Sequence, residues 1–138
     1  MKISTKGRYA IRAMIALSRN GSAGNIKSIS EEEGLSAKYL EAIFSKLSRC
    51  KLVAGKRGPS GGYKLAKPSA EISAFEILDA MGDELVIVDC VRNSKIGCKR
   101  RPNCPTRPLW TNIDNLVTGY LKSVSLADLS GGNINGDK

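Results

Sequence analysis

The chain has 138 residues, of which 41% are hydrophobic and 25% are charged, and these fractions exclude a disordered or membrane protein. Its length allows one small domain, or one domain with an appendage. It contains no histidine. Since this removes the most common general base together with the most common metal ligand, we do not expect an enzyme.

The net charge of +9 is concentrated in the first half of the chain. Residues 1–67 carry 14 Lys and Arg against four acids, whereas residues 68–138 carry eight against nine. This asymmetry indicates a polyanionic partner, and double-stranded DNA is the first candidate because Lys and Arg displace its counterions. The alternative, an anionic membrane, would need an amphipathic helix with a bare apolar face, which the sequence lacks. No signal peptide or membrane span is predicted, so we expect a cytoplasmic protein without a membrane partner.

The first predicted helix begins after Ser4 or Thr5 and ends near residues 20–21. Its apolar residues recur at helical spacing. They are Tyr9, Ala10, Ala13, Met14 and Leu17. The basic residues toward its start lie on a solvated face or on a face that contacts phosphate, and the sequence leaves both interpretations open.

Two further helices, separated by a tight turn, are predicted next. Asn25 can cap a helix over residues 26–33, and Ser36 can cap one over residues 37–49. Gly34 supplies the positive φ of the turn between them. The second helix buries Leu40, Ile43, Phe44 and Leu47, and its outer face is polar and basic. This pattern predicts a helix-turn-helix whose second helix enters the major groove.

A hairpin is predicted after the helix-turn-helix. Residues 52–54 and 63–65 read as short strands around a tip rich in Gly and Pro. The tip does not end in Gly-Lys-Ser/Thr and precedes a strand, so it is not predicted to bind a nucleotide. Helix, turn, helix and basic hairpin together predict a winged helix over residues 1–67, with Arg57 reaching into a minor groove.

Residues 68–129 are predicted to form a sensor and dimerisation region. A short helix lies within residues 68–83, and a long helix covers about residues 108–124. Apolar residues of the long helix recur at alternating steps of three and four, like a coiled-coil seam. They are Trp110, Ile113, Val117, Tyr120 and Val124, with Leu109, Leu116 and Leu121 beside them. We expect this helix to pair with a second copy, although it could instead lie on its own core. Residues 130–138 are expected to be a disordered tail.

Three of the four cysteines lie in residues 89–108, a segment with three Pro and one Gly that we expect to be an irregular loop. Six Lys and Arg lie among these cysteines or just after them, and positive charge favours the thiolate that ligates metals. Cys90, Cys98 and Cys104 therefore predict a soft-metal or iron–sulfur site. The alternatives are a thiol redox sensor, one disulfide, a zinc site or thiols without a role. Cys50 is interpreted as a small, partly buried apolar residue.

Four ordered motifs resemble the IscR/NsrR/CymR family of bacterial repressors. They are residues 1–10, 35–41, 57–63 and 125–129. The three cysteines followed by Leu109-Trp110 are similar to the IscR branch, whose members use an iron–sulfur cluster to control DNA binding. CymR-type members lack such a cysteine set. The resemblance implies a mainly α (α+β) fold, a winged helix-turn-helix with a long C-terminal dimerisation helix, acting as a homodimeric transcription regulator.

The resemblance implies that Cys90, Cys98 and Cys104 ligate the cluster, with 2Fe–2S favoured over 4Fe–4S. The regulated genes would serve iron–sulfur cluster biogenesis or the iron and redox response. Where the IscR branch has a histidine three residues after the last cysteine, this chain has Arg107, which cannot ligate iron.

The fourth ligand is left open. The aspartate that the NsrR branch uses near its N-terminus corresponds to Arg8. The remaining candidates are Asp89, an exogenous thiol, or a carboxylate from Glu31, Glu32 or Glu33 of a partner subunit.

The resemblance also implies that Tyr39 and Glu41 lie near base edges and that Arg57 enters the minor groove. The predicted DNA contacts are Ser36, Lys38, Tyr39, Glu41, Lys46, Lys56, Arg57 and Ser60. Two other functions stay open: a cluster-free repressor that senses thiol oxidation, and a regulator of cysteine or sulfur metabolism that binds a partner protein.

Overall fold

A computed structural model describes residues 2–58, 61–92 and 98–134. Helices and strands follow one another in these residues as α1 (Thr5–Arg19), β1 (Ala23–Gly24), α2 (Ile26–Glu33), α3 (Ala37–Arg49), β2 (Val53–Lys56), β3 (Gly62–Leu65), α4 (Ala74–Ala80), α5 (Asp89–Arg92), α6 (Arg107–Ser123) and α7 (Leu126–Gly131). Single 3-10 turns lie at Ser69–Glu71 and Arg101–Asn103. The predicted mainly helical fold with a small sheet is confirmed.

The three predicted N-terminal helices are confirmed, and side-chain caps explain where they begin. The side chain of Ser4 accepts a hydrogen bond from the amide of Gly7 at 2.8 Å, which starts α1. Asn25 and Ser36 cap α2 and α3 in the same way. Gly34 ends α2 with a φ of 65°, a left-handed conformation that favours glycine.

The wing is an antiparallel sheet with the strand order β1-β3-β2. Strands β2 and β3 pair from Val53↔Leu65 to Lys56↔Gly62, so the predicted hairpin is confirmed. Strand β1, which we did not predict, pairs with β3 on its other side. Gly62 permits this close pairing, because a side chain there would collide with the backbone oxygen of Gly24. The sheet thereby attaches the wing to the segment that follows α1.

One hydrophobic core joins the two parts of the chain that we predicted on either side of residue 67. Leu17 of α1 and Phe44 of α3 share it with Ile72, Ile77 and Leu126. Helix α1 contacts α2 and α3 as well as α4 and α7. The two parts therefore share one core and differ in the surfaces that they present.

The end of the chain differs from the prediction. Ser125 and Asp128 form a reciprocal capping box that starts α7, and this helix continues to Gly131. Arg19 donates a hydrogen bond from its Nε to the carbonyl oxygen of Ser130 at 3.0 Å. The prediction that a disordered tail begins at Ser130 is therefore wrong for the first residues of that tail. Residues 135–138 lie outside the described residues.

The long helix is present as α6, but its most exposed apolar residues are mostly not those of the predicted seam. Leu109, Leu116 and Tyr120, which we call the α6 stripe, are 53%, 73% and 55% exposed. Of the predicted seam only Tyr120 belongs to this stripe. Three members are half-buried and Val124 is buried. Helix α4 packs against α6 within the same chain, so part of the surface of α6 is covered without a partner.

Candidate nucleic-acid interface and cysteine segment

The predicted contacts on the recognition helix α3 differ in exposure. Lys38 and Glu41 are exposed, as is Ser36 at its start. The side chain of Ser36 accepts a hydrogen bond from the amide of Tyr39 at 3.0 Å, so it stabilises the helix end that would meet DNA. Ser36, Lys38 and Glu41 therefore occupy one accessible region at the N-terminus of α3.

Tyr39 differs from its exposed neighbours because its ring packs against α1. It is half-buried, and its ring centroid lies 5.7 Å from that of Tyr9 with the planes 84° apart. This edge-to-face geometry is favourable for aromatic pairs. The sequence alone had placed Tyr39 fully on the outer face. The structure shows that α1 supports its ring.

A second cationic group lies where α1 meets α3. Lys46 is half-buried, and the positive charge of nearby Lys6 on α1 is the main cause that lowers the pKa of Lys46. Burial and Arg49 act in the same direction. Like charges placed this close repel each other, and an anion such as a DNA phosphate relieves the repulsion. Lys6 thus joins the predicted contact Lys46.

The wing contributes exposed cations. Lys56, at the end of β2, and Arg57 are both exposed. Ser60, the remaining predicted wing contact, lies outside the described residues. Within the part of the chain that is described, ion pairs join Arg12 to Glu33 and Lys67 to Glu76, and neither involves the wing. The cations of the wing can therefore meet phosphate without first breaking these ion pairs.

The three predicted cluster cysteines occupy different local structures. Cys90 is half-buried on α5, a helical turn that packs against α6. Cys98 is exposed, and Cys104 is half-buried three residues before α6. The expectation of an irregular loop is therefore wrong at both ends of the segment. Cys50 is exposed, which corrects our interpretation of it as partly buried.

All four cysteines are free thiols. Across residues 2–58, 61–92 and 98–134, no three Cys, Asp or Glu side chains are grouped so that they could hold one metal ion. Residues 93–97, between the first two predicted ligands, lie outside the described residues.

Cys104 lies in a polar and cationic environment. Its Sγ is 3.3 Å from Oγ1 of Thr106. Hydrogen bonds from the side chain and backbone of Thr106 lower the pKa of the Cys104 thiol, and the charge of Arg100 adds to this effect. Arg101 and Arg107 line the adjacent pocket. These groups favour a thiolate, the form in which cysteine ligates metals and reacts with oxidants.

The family described as Rrf2, iron-dependent transcriptional regulators, matches residues 3–132. The chain belongs to the Rrf2 family. A helix-turn-helix transcriptional regulator of Neisseria meningitidis is 41% identical over 139 residues, covering 99% of this chain and 93% of the relative. The transcriptional regulator IscR of Escherichia coli is 37% identical over 131 residues, covering 94% of this chain and 80% of the relative.

Solved structures of this family have the same fold. CymR, the global cysteine regulator of B. subtilis, has a TM-score of 0.77 and 31% identity over 96% of this chain and 98% of that protein. IscR of T. potens has a TM-score of 0.73 and 27% identity over 100% of this chain and 93% of that protein. This Rrf2 chain is thus an IscR-like transcriptional regulator of the winged-helix type, and such regulators bind DNA. None of its described helices is long and apolar enough to cross a membrane.

The donor chemistry of this Rrf2 chain fits an iron–sulfur cluster at three positions. Iron–sulfur clusters are held mainly by thiolates, and Cys90, Cys98 and Cys104 are free to supply them. The fourth position differs, because Arg107 begins α6 where the resemblance implies a histidine. Asp89, one of the candidates for that ligand, is exposed at the start of α5 beside Cys90.

Two residues behind the recognition helix were not predicted to support it. Tyr9 was assigned to the apolar face of α1, and Arg12 to the basic residues that either face solvent or contact phosphate. In the structure they contact Tyr39 and Glu33, one on each side of the turn between α2 and α3. Their three-residue spacing on one helix face was visible in the sequence, but their partners were not.

Proposed function

We propose that this Rrf2 protein is a homodimeric transcriptional regulator whose binding to operator DNA is controlled by an iron–sulfur cluster held by Cys90, Cys98 and Cys104. The observation that carries the proposal is how the cysteine segment is attached: Cys90 lies on α5, which packs against α6, and Cys104 directly precedes α6. Restraining these thiols would therefore restrain the proposed dimerisation helix.

The proposed DNA contacts follow from the two exposed surfaces of residues 2–67. The N-terminus of α3 would enter the major groove, with Tyr39 and Glu41 near base edges. The wing would carry Arg57 into the adjacent minor groove. Lys6 and Lys46 would contact the phosphate backbone, which gives affinity without sequence preference. Such a protein acts where the chromosome is, in the bacterial cytoplasm.

The α6 stripe supports a homodimer. Three large apolar side chains along one helix face are exposed, and pairing with the same face of a second copy would remove them from water. Each copy would bring one recognition helix, as a palindromic operator requires. Residues 68–129 would thus serve sensing and dimerisation, and residues 1–67 DNA binding.

The contacts between helices support a coupling of the three thiols to the proposed DNA-binding surface. A bound cluster, preferentially 2Fe–2S, would supply a crosslink among three thiolates. Helix α5 contacts α6, α6 contacts α4, and α4 contacts both α1 and α3. A change in the position of α6 would therefore reach the recognition helix through direct packing. The resemblance to the IscR branch favours genes for cluster biogenesis or the iron and redox response as targets.

The coupling is tested with a variant in which Cys90, Cys98 and Cys104 are all replaced by alanine, and with Cys50→Ala as the matched control. Anaerobically purified proteins select duplexes from a random-sequence library, and affinities for the selected duplexes are then measured. We expect the triple variant to change site preference or affinity by about 10-fold or more, which corresponds to the usual range of allosteric coupling energies. Identical preference and affinity in all three proteins would contradict cluster control.

A cluster-free thiol sensor is the second candidate, and the environment of Cys104 favours it. Its thiol, with a lowered pKa, would react with an oxidant without any metal. The fold is shared with CymR, a cysteine regulator, which also keeps open a role in cysteine or sulfur metabolism through a partner protein. Oxidant-dependent disulfides in iron-free protein, detected by mass spectrometry, would favour the thiol sensor. DNA affinity that barely depends on salt would favour the partner-binding regulator.

A further inference from the structure

Tyr9 and Arg12 form a connected pair on α1. They are three residues apart, so their side chains lie on the same helix face. The guanidinium carbon of Arg12 is 5.6 Å from the centroid of the Tyr9 ring, within the range of a cation–π contact. The position of one side chain therefore restrains the other.

Arg12 fixes the end of α2. Its Nε donates to Oε2 of Glu33 at 3.0 Å, and its Nη2 donates to the carbonyl oxygen of Glu33 at 2.7 Å. Glu33 is the last residue of α2, directly before the glycine turn. A cation at this end also interacts favourably with the helix dipole.

Tyr9 supports the beginning of α3. Its ring meets the ring of Tyr39, the third residue of that helix, edge to face. Lys38 and Glu41 are exposed on either side of Tyr39, whereas Tyr39 itself is half-buried. The pair on α1 thus touches both sides of the helix-turn-helix, the last residue of α2 and the first turn of α3.

We infer that Tyr9, braced by Arg12, is a positioning residue that sets the sequence preference of the recognition helix by holding Tyr39 in its reading orientation. The inference rests on the proposed function, because it takes Tyr39 to be near base edges. Tyr9 lies behind Tyr39 and needs no DNA contact of its own. An aromatic side chain held in one orientation before binding loses less conformational entropy at the interface.

The test compares Tyr9→Leu with two controls, Tyr9→Phe and Tyr63→Leu. Tyr9→Phe keeps the ring that meets Tyr39. Tyr63→Leu removes a different aromatic contact, in which Tyr63 stacks on Phe44 with centroids 4.8 Å apart. Each protein is measured on the duplex that the wild type selects from a random library and on all single-base-pair variants of that duplex. Salt dependence and thermal stability are measured alongside.

We expect Tyr9→Leu to reduce discrimination by about 10-fold at one or two adjacent base pairs, the size of one base contact. The salt dependence of binding should not change, because the phosphate contacts are intact. Tyr39→Ala should lose discrimination at the same base pairs, and adding Tyr9→Leu to it should cause little further loss. Both controls should keep discrimination at these base pairs, because they leave the contact between the rings at positions 9 and 39 in place. If Tyr9→Leu does not fold, Arg12→Gln tests whether Arg12 holds Tyr9 in place. We expect this variant to lose about 3-fold in discrimination at the same base pairs.

Unchanged discrimination in Tyr9→Leu, together with a lowered melting temperature, would mean that Tyr9 only packs, and the inference would be wrong. If Tyr39→Ala lost discrimination while Tyr9→Leu and Arg12→Gln did not, the DNA-binding role would stand and the positioning role would fail. If the wild type selected no sequence at all, the proposed function and this inference would fail together.

Discussion

Residues 2–67 and residues 68–134 share one core, yet they present opposite kinds of surface. The first part carries exposed cations on a helix N-terminus and a wing, supported from behind by Tyr9 and Arg12. The second part carries an exposed apolar stripe and three thiols that are not joined to one another. Under the proposed function, the first surface would meet DNA, and the second would be completed by a second copy and by an iron–sulfur cluster.

The largest expected effect comes from a charge in the α6 stripe. Leu116→Asp should raise the dimer dissociation constant by about 100-fold or more, because a buried unpaired carboxylate is strongly unfavourable. Asn115→Asp adds the same charge at the neighbouring exposed position and should have little effect. Sedimentation equilibrium measures both variants. Equal dimer affinities would show that the stripe is not the interface.

The next largest effect is expected from a substitution in the shared core. Leu126 is fully buried in α7, so Leu126→Ala should lower the free energy of unfolding by about 3 kcal/mol. Urea denaturation followed by both Trp110 fluorescence and circular dichroism should show a single coincident transition. Ile134→Ala, at a partly exposed position, should change stability by less than about 0.5 kcal/mol. Two separate transitions would show that the halves fold independently.

Substitutions at two helix caps distinguish an effect on stability from an effect on DNA binding. Ser36→Ala and Ser73→Ala remove the caps of α3 and α4, and each should cost about 1 kcal/mol of stability. Ser36→Asp preserves a capping oxygen but places a negative charge beside the DNA. It should keep its melting temperature and lose about 10-fold in DNA affinity. If Ser36→Asp bound DNA with wild-type affinity, the start of α3 would not be part of the DNA interface.

The smallest effect concerns pH. Burial raises the pKa of Glu76, but hydrogen bonds from Lys67 and Ser73 outweigh it, so the folded pKa lies below its usual value. Stability from this carboxylate is therefore present above the usual pKa of a glutamate and is lost as the pH falls through the lower folded pKa. Glu76→Gln can still form the capping box. It should reduce the acid-dependent loss in the free energy of unfolding by less than about 1 kcal/mol. Glu71→Gln, at an exposed position, serves as the control. An unchanged acid-dependent loss in Glu76→Gln would contradict this contribution.

Sequence predicted best what neighbouring residues determine. The bounds of α2 and α3 followed from the caps Asn25 and Ser36 and from the glycine between the helices, all within a few residues of the helix ends. Strand β1 was missed because Ala23-Gly24 carries no strand preference, and the pairing depends on β3, about forty residues later.

The sequence of α6 does not show which of its apolar faces is buried. Two apolar rows run along it, one through Leu109 and Leu116 and the other through Trp110 and Val117, and both fit a helical seam. In the structure Leu109 and Leu116 are exposed, whereas Trp110 and Val117 are half-buried. In the same way, cysteine spacing indicates which side chains can ligate a metal but not where the fold brings them.

The central claim is tested most directly by iron and acid-labile sulfide content, measured on protein purified without oxygen. The account predicts about two irons and two sulfides per subunit, with the absorption spectrum of a 2Fe–2S cluster. This content should be lost in Cys98→Ala and kept in Cys50→Ala. Protein that holds no iron after anaerobic reconstitution would contradict the claim and leave an Rrf2 regulator whose cysteines act, if at all, through thiol chemistry.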